Sequence, residues 1–159
     1  VVDRRMTNDP YGQWMGSPMD EREIDAVLGS AGWGVITLAE DDEPYSIPVS
    51  FGYDGEAVYF VFIRDSPTNA KFEYAEDGKT ARLLVTDVQA RFDWQSIAVT
   101  GKLRSIEADT ADWDDLLTVL DEQAWFSAEF ERAAGVDELV GWRLDPAQIR
   151  GLEVKPDRD

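Results

Sequence analysis

From Trp33 to Ile106 the chain is cut into short apolar or alternating stretches by closely spaced turn signals, a rhythm of period two that suits strands and not a helical bundle. Gly34-Val35-Ile36-Thr37-Leu38 is an apolar run closed by the acidic turn Glu40-Asp41-Asp42-Glu43. Tyr45 to Tyr53 alternates and is interrupted by Pro48, which argues for an edge or a bulge because proline has no N–H for a ladder. Asp54-Gly55 is a hairpin signal, with Ala57 to Ile63 as the returning strand. Thr80 to Thr86 is apolar enough for a buried strand, and Trp94 to Ile106 is a long alternating one. Leu139 to Leu144 and Ile149 to Val154 read as two closing strands around Asp145-Pro146. Five or six such strands with helices at the ends predict a closed or partly closed barrel.

The helices are marked by their ends. Ser17-Pro18 followed by acidic residues predicts a helix start, with Ile24, Val27 and Leu28 as its apolar face and a stop near Gly29. Ser66-Pro67 repeats that signal and predicts a helix to about Glu76. Asp112 to about Arg132 is helical by the spacing of Trp113, Leu116, Leu117 and Leu120, with a break near Asp121, a second face at Phe126 and Phe130, and a stop at Gly135. Residues 1–18 lack periodicity and read as an N-terminal extension, leaving one domain over 19–156. No repeat or linker divides it.

Composition narrows the chemistry. The chain has no cysteine and no histidine, which removes disulfides, thiolate zinc sites, Ser-His-Asp triads and the usual haem ligand. Thirty-three acidic residues against fifteen basic ones give a net charge of −18 over 159 residues. That charge is spread along the chain, so it reads as a solvated surface kept soluble by self-repulsion where salt screens the cost. With four lysines among the basic residues, this is a halophile's surface; the bland alternative is an acidic protein with a basic partner. Phosphate contacts need a basic face, so nucleic acid is not expected as a partner. The sequence has no stretch of about eighteen apolar residues and no signal-peptide core, so no membrane is expected and the expected location is cytoplasmic.

Three constellations carry possible chemistry. Arg64-Asp65-Ser66-Pro67-Thr68-Asn69-Ala70-Lys71 follows a strand and opens a helix, where unpaired N–H groups, the Ser66 and Thr68 hydroxyls, Arg64 and Lys71 suit a phosphate. The plain alternative makes Ser66 an N-cap and the cations surface charge. In Trp94-Gln95-Ser96, Gln95 and Ser96 offer hydrogen bonds to ring heteroatoms and Trp94 a stacking face; the alternative makes Trp94 core. Pro48, with Val49 and Ser50, opens a ladder position beside which backbone groups can face a ligand, or simply protects an edge.

In order and spacing these segments resemble the pyridoxamine 5′-phosphate oxidase-like, FMN-binding split-barrel superfamily, with a surface like that of its halophilic archaeal members. The resemblance runs from about Glu23 to Val154, through GVITLA, PYSIPVSFGYDGEAVYFVF, the Arg64–Lys71 turn, ARLLVTD, WQSIAVTGKLRSIE and GWRLDPAQIRGLEV. It implies a mainly β fold with flanking helices: a homodimeric, six-stranded split β-barrel of Greek-key type, with FMN in a groove between subunits. It also implies roles. Pro48, Val49 and Ser50 run beside the isoalloxazine ring, while Phe62, Ile63 and Arg64 line the ribityl chain. Ser66, Thr68 and Lys71 surround the phosphate. Trp94, Gln95 and Ser96 reach the flavin, and Trp142 closes the site from the partner chain.

Two departures qualify the resemblance. Asn69-Ala70 stands where many relatives have glycine and a basic residue, which removes phosphate contacts. The missing histidine argues against the haem-handling branch and against reductases with an active-site histidine. The reading that follows is an FMN-dependent oxidoreductase, in which the cofactor does the chemistry and no catalytic side chain is required. The alternatives are a flavin-binding or storage protein, a reductase using the deazaflavin F420, and a ligand-free dimeric interaction module.

Overall fold

The computed structural model describes residues 15–63, 74–123 and 139–156. Among these residues, seven strands and two helices follow in the order β1 (Ser17–Pro18), α1 (Glu21–Ala31), β2 (Trp33–Glu40), β3 (Glu43–Tyr53), β4 (Val58–Ile63), β5 (Thr80–Ala90), β6 (Asp93–Ile106), α2 (Ala111–Gln123) and β7 (Leu139–Val154). All pairings are antiparallel. The sheet runs β1-β7-β4-β3-β2-β5-β6, and a further β7–β6 pairing closes strands β2 to β7 into a six-stranded barrel. Consecutive β2, β3 and β4 lie side by side and β5 returns beside β2, which is the Greek-key connection.

Two apolar clusters hold this arrangement. Inside the barrel, alternate residues such as Ile36, Leu38, Phe51, Phe60, Leu83, Ile97, Val99 and Leu144 pack together with Leu28 of α1. Outside it, α2 lays Trp113, Leu116 and Val119 on Ala57, Tyr59 and Ile106. Gly141 makes room for that helix, since a Cβ there would lie 2.8 Å from the Trp113 ring. At the far end of α2 the Gln123 side chain accepts from Tyr53 N (2.8 Å) and donates to Tyr53 O (2.7 Å), tying the helix to β3.

Several expectations are corrected. Ser17-Pro18 does not start a helix; it forms a short strand whose partners are Glu153 and Leu152. The cap of α1 is Asp20, whose carboxylate accepts from Glu23 N at 2.8 Å in a capping box. Gly29 lies within α1, which ends at Gly32 with φ 74°. The buried strand expected at Thr80–Thr86 extends to Ala90 and buries only one face.

The two closing strands are one. β7 runs unbroken through Asp145-Pro146 because an irregularity opposite Thr100 and Gly101 absorbs the extra residue. Gly101 is required there, since a Cβ would collide with the Asp145 carbonyl oxygen and lie 2.7 Å from its carbon. The expected helix from Ser66 and the Phe126, Phe130 and Gly135 features lie outside the described residues, apart from the stretch after residue 73. No helix among the described residues is long and apolar enough to cross a membrane.

Candidate functional site

The β3–β4 ladder stops at Phe51↔Phe60. Pro48–Ser50 of β3 and Val61–Ile63 of β4 therefore border a seam that this ladder does not close. Pro48 pairs with Val35 of β2 on its other side, so a residue without an N–H sits where β3 has a ladder on one side only, as its position in the sequence suggested. Side chains alternate across this strand. Val49 is in the barrel core, while Pro48 and Ser50 share the outer face with their partners Val35 and Trp33. The Ser50 hydroxyl donates to the Gly32 carbonyl at 3.1 Å, which fixes the seam to the end of α1.

The outer face continues over β2, β5, β6 and β7. Register places Pro48, Val35, Leu84, Ala98 and Arg150 in one row across five strands. The neighbouring row holds Ser46, Thr37, Arg82, Thr100 and Gln148. Two side-chain hydrogen bonds confirm the shared face: Thr37 Oγ1 to Ser46 Oγ at 2.8 Å, and Arg82 Nε to Thr100 Oγ1 at 3.0 Å. Towards the seam end, the same face carries Trp33, Thr86, Val88, Trp94, Ser96 and Leu152.

None of these residues is acidic, in a chain where 33 of 159 are. Trp33, Leu84, Val88 and Leu152 are between 38% and 68% exposed. An uncharged, partly apolar face on so acidic a chain is the feature of this surface that needs a reason.

The expected site residues divide on this frame. Pro48, Val49 and Ser50 border the seam on β3 and Phe62 and Ile63 border it on β4, and Trp94 and Ser96 lie on the same outer face as Pro48 and Ser50. Gln95 does not join them. One residue along the strand, it points the other way and donates to Glu153 Oε2 at 3.1 Å, in a row with Asp87. The Phe62 side chain is packed against Phe60 inside the barrel, ring centroids 5.3 Å apart. Trp142 is also inside, 5% exposed, so little of it is available to another molecule. Its Nε1 has no hydrogen-bond partner among the described residues. Arg64, Ser66, Thr68 and Lys71 lie outside the described residues.

A cleft of about 270 Å³ is lined by Asp87, Gln89, Asp93, Trp94, Gln95, Val154, Lys155 and Pro156. Its electrostatics do not suit an anion. Its one cation among the described residues, Lys155, is bound to Glu23 (2.5 Å) and Glu153 (3.0 Å), and those hydrogen bonds, Glu23's first, raise its pKa. Asp87 and Asp93 remain to repel a phosphate. The outer face has the opposite character, with Arg82 and Arg150 as charges in its two central rows.

Trp33 is the site candidate that the sequence reading passed over. It looked like the first residue of an apolar strand. Only its pairing with Ser50 places it beside the seam, and a one-dimensional pattern does not show which strand becomes its neighbour.

The sequence model of the family described as pyridoxamine 5′-phosphate oxidase matches residues 20–153. No curated protein sequence matches the chain. Among solved structures, an FAD binding protein from Mycobacterium smegmatis superposes with a TM-score of 0.69 at 18% identity, over 89% of this chain and 100% of that one. An FAD-binding protein from Mesorhizobium loti gives 0.65 at 22% identity, over 88% and 97%. The haem storage protein HutZ from Vibrio cholerae gives 0.65 at 12% identity, over 84% and 94%. At these identities the structural likeness establishes the shared barrel fold.

Proposed function

The chain belongs to the pyridoxamine 5′-phosphate oxidase family, and from that premise we propose that it is a homodimeric flavoprotein that holds FMN between two copies and serves as an oxidoreductase. One observation carries the reading: the acid-free outer face on which Pro48, Ser50, Trp94 and Ser96 stand together. β3 and β6 are separated on it by β2 and β5, about 14 Å along the sheet at the usual strand spacing. A second copy turned onto this face brings its own Trp94 and Ser96 to the first copy's seam. Two chains of charge −18 repel, so they approach at least cost where neither presents a carboxylate.

The described residues suit the ring end of such a cofactor. The seam presents backbone, Ser50 and Ser96 add hydroxyls, and the apolar side chains of the face exclude water. The phosphate end is assigned to Arg64, Ser66, Thr68 and Lys71 on the sequence reading alone. Bound flavin supplies hydride or electron transfer; the chain's own part is to bind it, orient it and keep solvent from one side.

The test is the absorbance spectrum of the purified protein in multimolar KCl, titrated separately with FMN, FAD and F420. Flavin bands saturating at about one FMN per chain are the expected result. Lys71→Ala is then expected to weaken binding by about 1–3 kcal/mol, the range for a lost charge-assisted hydrogen bond. A preference for FAD or F420 would replace the cofactor and keep the site. A protein indifferent to all three would overturn the reading. Reduction of the loaded protein by NAD(P)H separates an oxidoreductase from a storage protein.

A further inference from the structure

Building on the dimeric flavin reading above, we propose that the phosphate end of each flavin is held in trans, by Arg82 and Lys102 of the second copy. The two cations are exposed on the outer face of β5 and β6, diagonal neighbours about 8 Å apart at the usual strand spacing and rise. Arg82 Nε donates to Thr100 Oγ1 at 3.0 Å and Lys102 Nζ to Thr80 Oγ1 at 2.8 Å. Both of those partners are neutral. By contrast, Lys79, Arg104, Arg143 and Lys155 are each paired with a carboxylate. Asp145, level with Lys102 on β7, is taken by Arg143 and Arg104. Among the described residues neither Arg82 nor Lys102 is in an ion pair, although the chain has 33 acidic side chains to offer.

The direction of the seam decides where a phosphate would be. β4 is antiparallel to β3, and counting on from Phe51↔Phe60 brings Ile63 level with Pro48. A flavin with its ring beside Pro48–Ser50 and its ribityl chain along the backbone of Phe62 and Ile63 therefore carries its phosphate towards the row of Ser46. In its own chain Arg82 is in that row but two strands from β3, and its bond to Thr100 turns it to β6, away from the seam. A second copy reverses this. Bringing Trp94 and Ser96 of one copy to β3 of the other takes a two-fold axis along the strands, between β2 and β5. That axis sets β2 against β5, β3 against β6 and each row against itself. Thr100 of the second copy then lies over Ser46, with the Arg82 guanidinium leaning onto it and Lys102 one row along. The contact takes water from both cations and leaves each a hydroxyl, a costly state for buried charge unless an anion joins them. A phosphate monoester is such an anion, and a guanidinium can meet it with two parallel hydrogen bonds.

The experiment compares FMN with riboflavin, which lacks the phosphate, on the full chain. It reads the dissociation constant of each ligand and, by sedimentation, the dissociation constant of the dimer. Arg82→Gln is expected to weaken FMN about tenfold or more and to leave riboflavin within about twofold, with Lys102→Gln changing the two ligands in the same sense. Because binding and assembly are reciprocal when a site spans two chains, FMN should tighten the wild-type dimer about tenfold more than riboflavin does, and Arg82→Gln should erase that difference. If FMN and riboflavin tighten the dimer equally, the phosphate is held within one chain and the proposal is wrong. Arg82→Gln and Lys102→Gln proteins that bind FMN as wild type does, or that lose FMN and riboflavin alike, also overturn it and leave the flavin site standing. Should wild type take up neither ligand, the proposal falls together with the reading beneath it.

Discussion

Gly101→Ala tests the closure of the barrel directly. The three atoms nearest the added Cβ are all backbone: the Asp145 carbonyl oxygen inside contact distance, the Asp145 carbonyl carbon at 2.7 Å and Pro146 Cα at 3.0 Å. No side-chain rotation relieves this, so β6 and β7 must separate where β7 passes its irregularity. Overpacking of this kind costs about 1–3 kcal/mol. Weakening two neighbouring ladder hydrogen bonds adds about 1 kcal/mol each, for a total of about 3–5 kcal/mol. At roughly 2–4 °C per kcal/mol for a chain of this size, the melting temperature should fall by about 10 °C.

Thermal unfolding followed by near-ultraviolet circular dichroism in multimolar KCl measures it, the tryptophans reporting on packing. Gly29→Ala is the matched control. Gly29 lies inside α1 with nothing within 4 Å of a built Cβ, so alanine there should raise stability by about 0.5–1 kcal/mol. Two glycine-to-alanine changes should thus move the melt in opposite directions. A Gly101→Ala protein melting within about 2 °C of wild type would refute the close β6–β7 approach.

Three further outcomes are expected. Burial first, then the charge of Asp25, pushes the Tyr53 hydroxyl up to about 12 from 10.0. A raised pKa contributes stability that is complete below about pH 10 and is lost as pH climbs through 12, so Tyr53→Phe should flatten the alkaline limb of a melting-temperature profile; superimposable limbs would discount the assignment. For Asp54, burial works to raise the carboxyl's pKa, but the Ala57 and Glu56 amides, the Tyr59 hydroxyl and the charge of Arg143 outweigh it and hold it below the ordinary value. Its contribution is present above about pH 4 and disappears as pH falls through the lowered pKa, so the stability gap between wild type and Asp54→Asn should narrow in acid, and a constant gap would count against it. Finally, with −18 on the chain, screening that shortens from about 10 Å at 0.1 M to about 3 Å at 1 M salt should raise the melting temperature markedly; equal melts in dilute and multimolar KCl would remove the halophile reading.

Strands were legible in the sequence because alternation is a local signal, and Asp54-Gly55 and Pro48 marked a turn and an edge from chemistry that acts within a few residues. Two errors came from the opposite cause. Ser17-Pro18 has the composition of a helix start, but an open edge of β7 claims it first, and that edge is over 130 residues away in sequence. Asp145-Pro146 looks like a break until Gly101 supplies the irregular partner that absorbs it. The site shows the same limit. Pro48, Ser50, Trp94 and Ser96 could be chosen by motif, and the period of two already separates Gln95 from its neighbours. That Trp33 shares their face depends on which strands are adjacent, and adjacency is decided by the Greek-key return of β5 beside β2.

Of the six barrel strands β7 is the last to leave the ribosome, and it is the stave on which the barrel closes. Until residues 139–154 emerge, the nascent sheet ends in two open edges, β4 on one side and β6 on the other, each a template for pairing with another chain. The long β6–β7 pairing and the β4–β7 pairing are then still unmade, since β6 and β4 both find β7 only across the length of the intervening chain. Synthesis is therefore the period in which this protein is most exposed to aggregation, and the negative charge already carried by the Glu40–Glu43 turn and by the two helices is its protection during that interval. A chain stopped before Leu139 would keep both edges open for good.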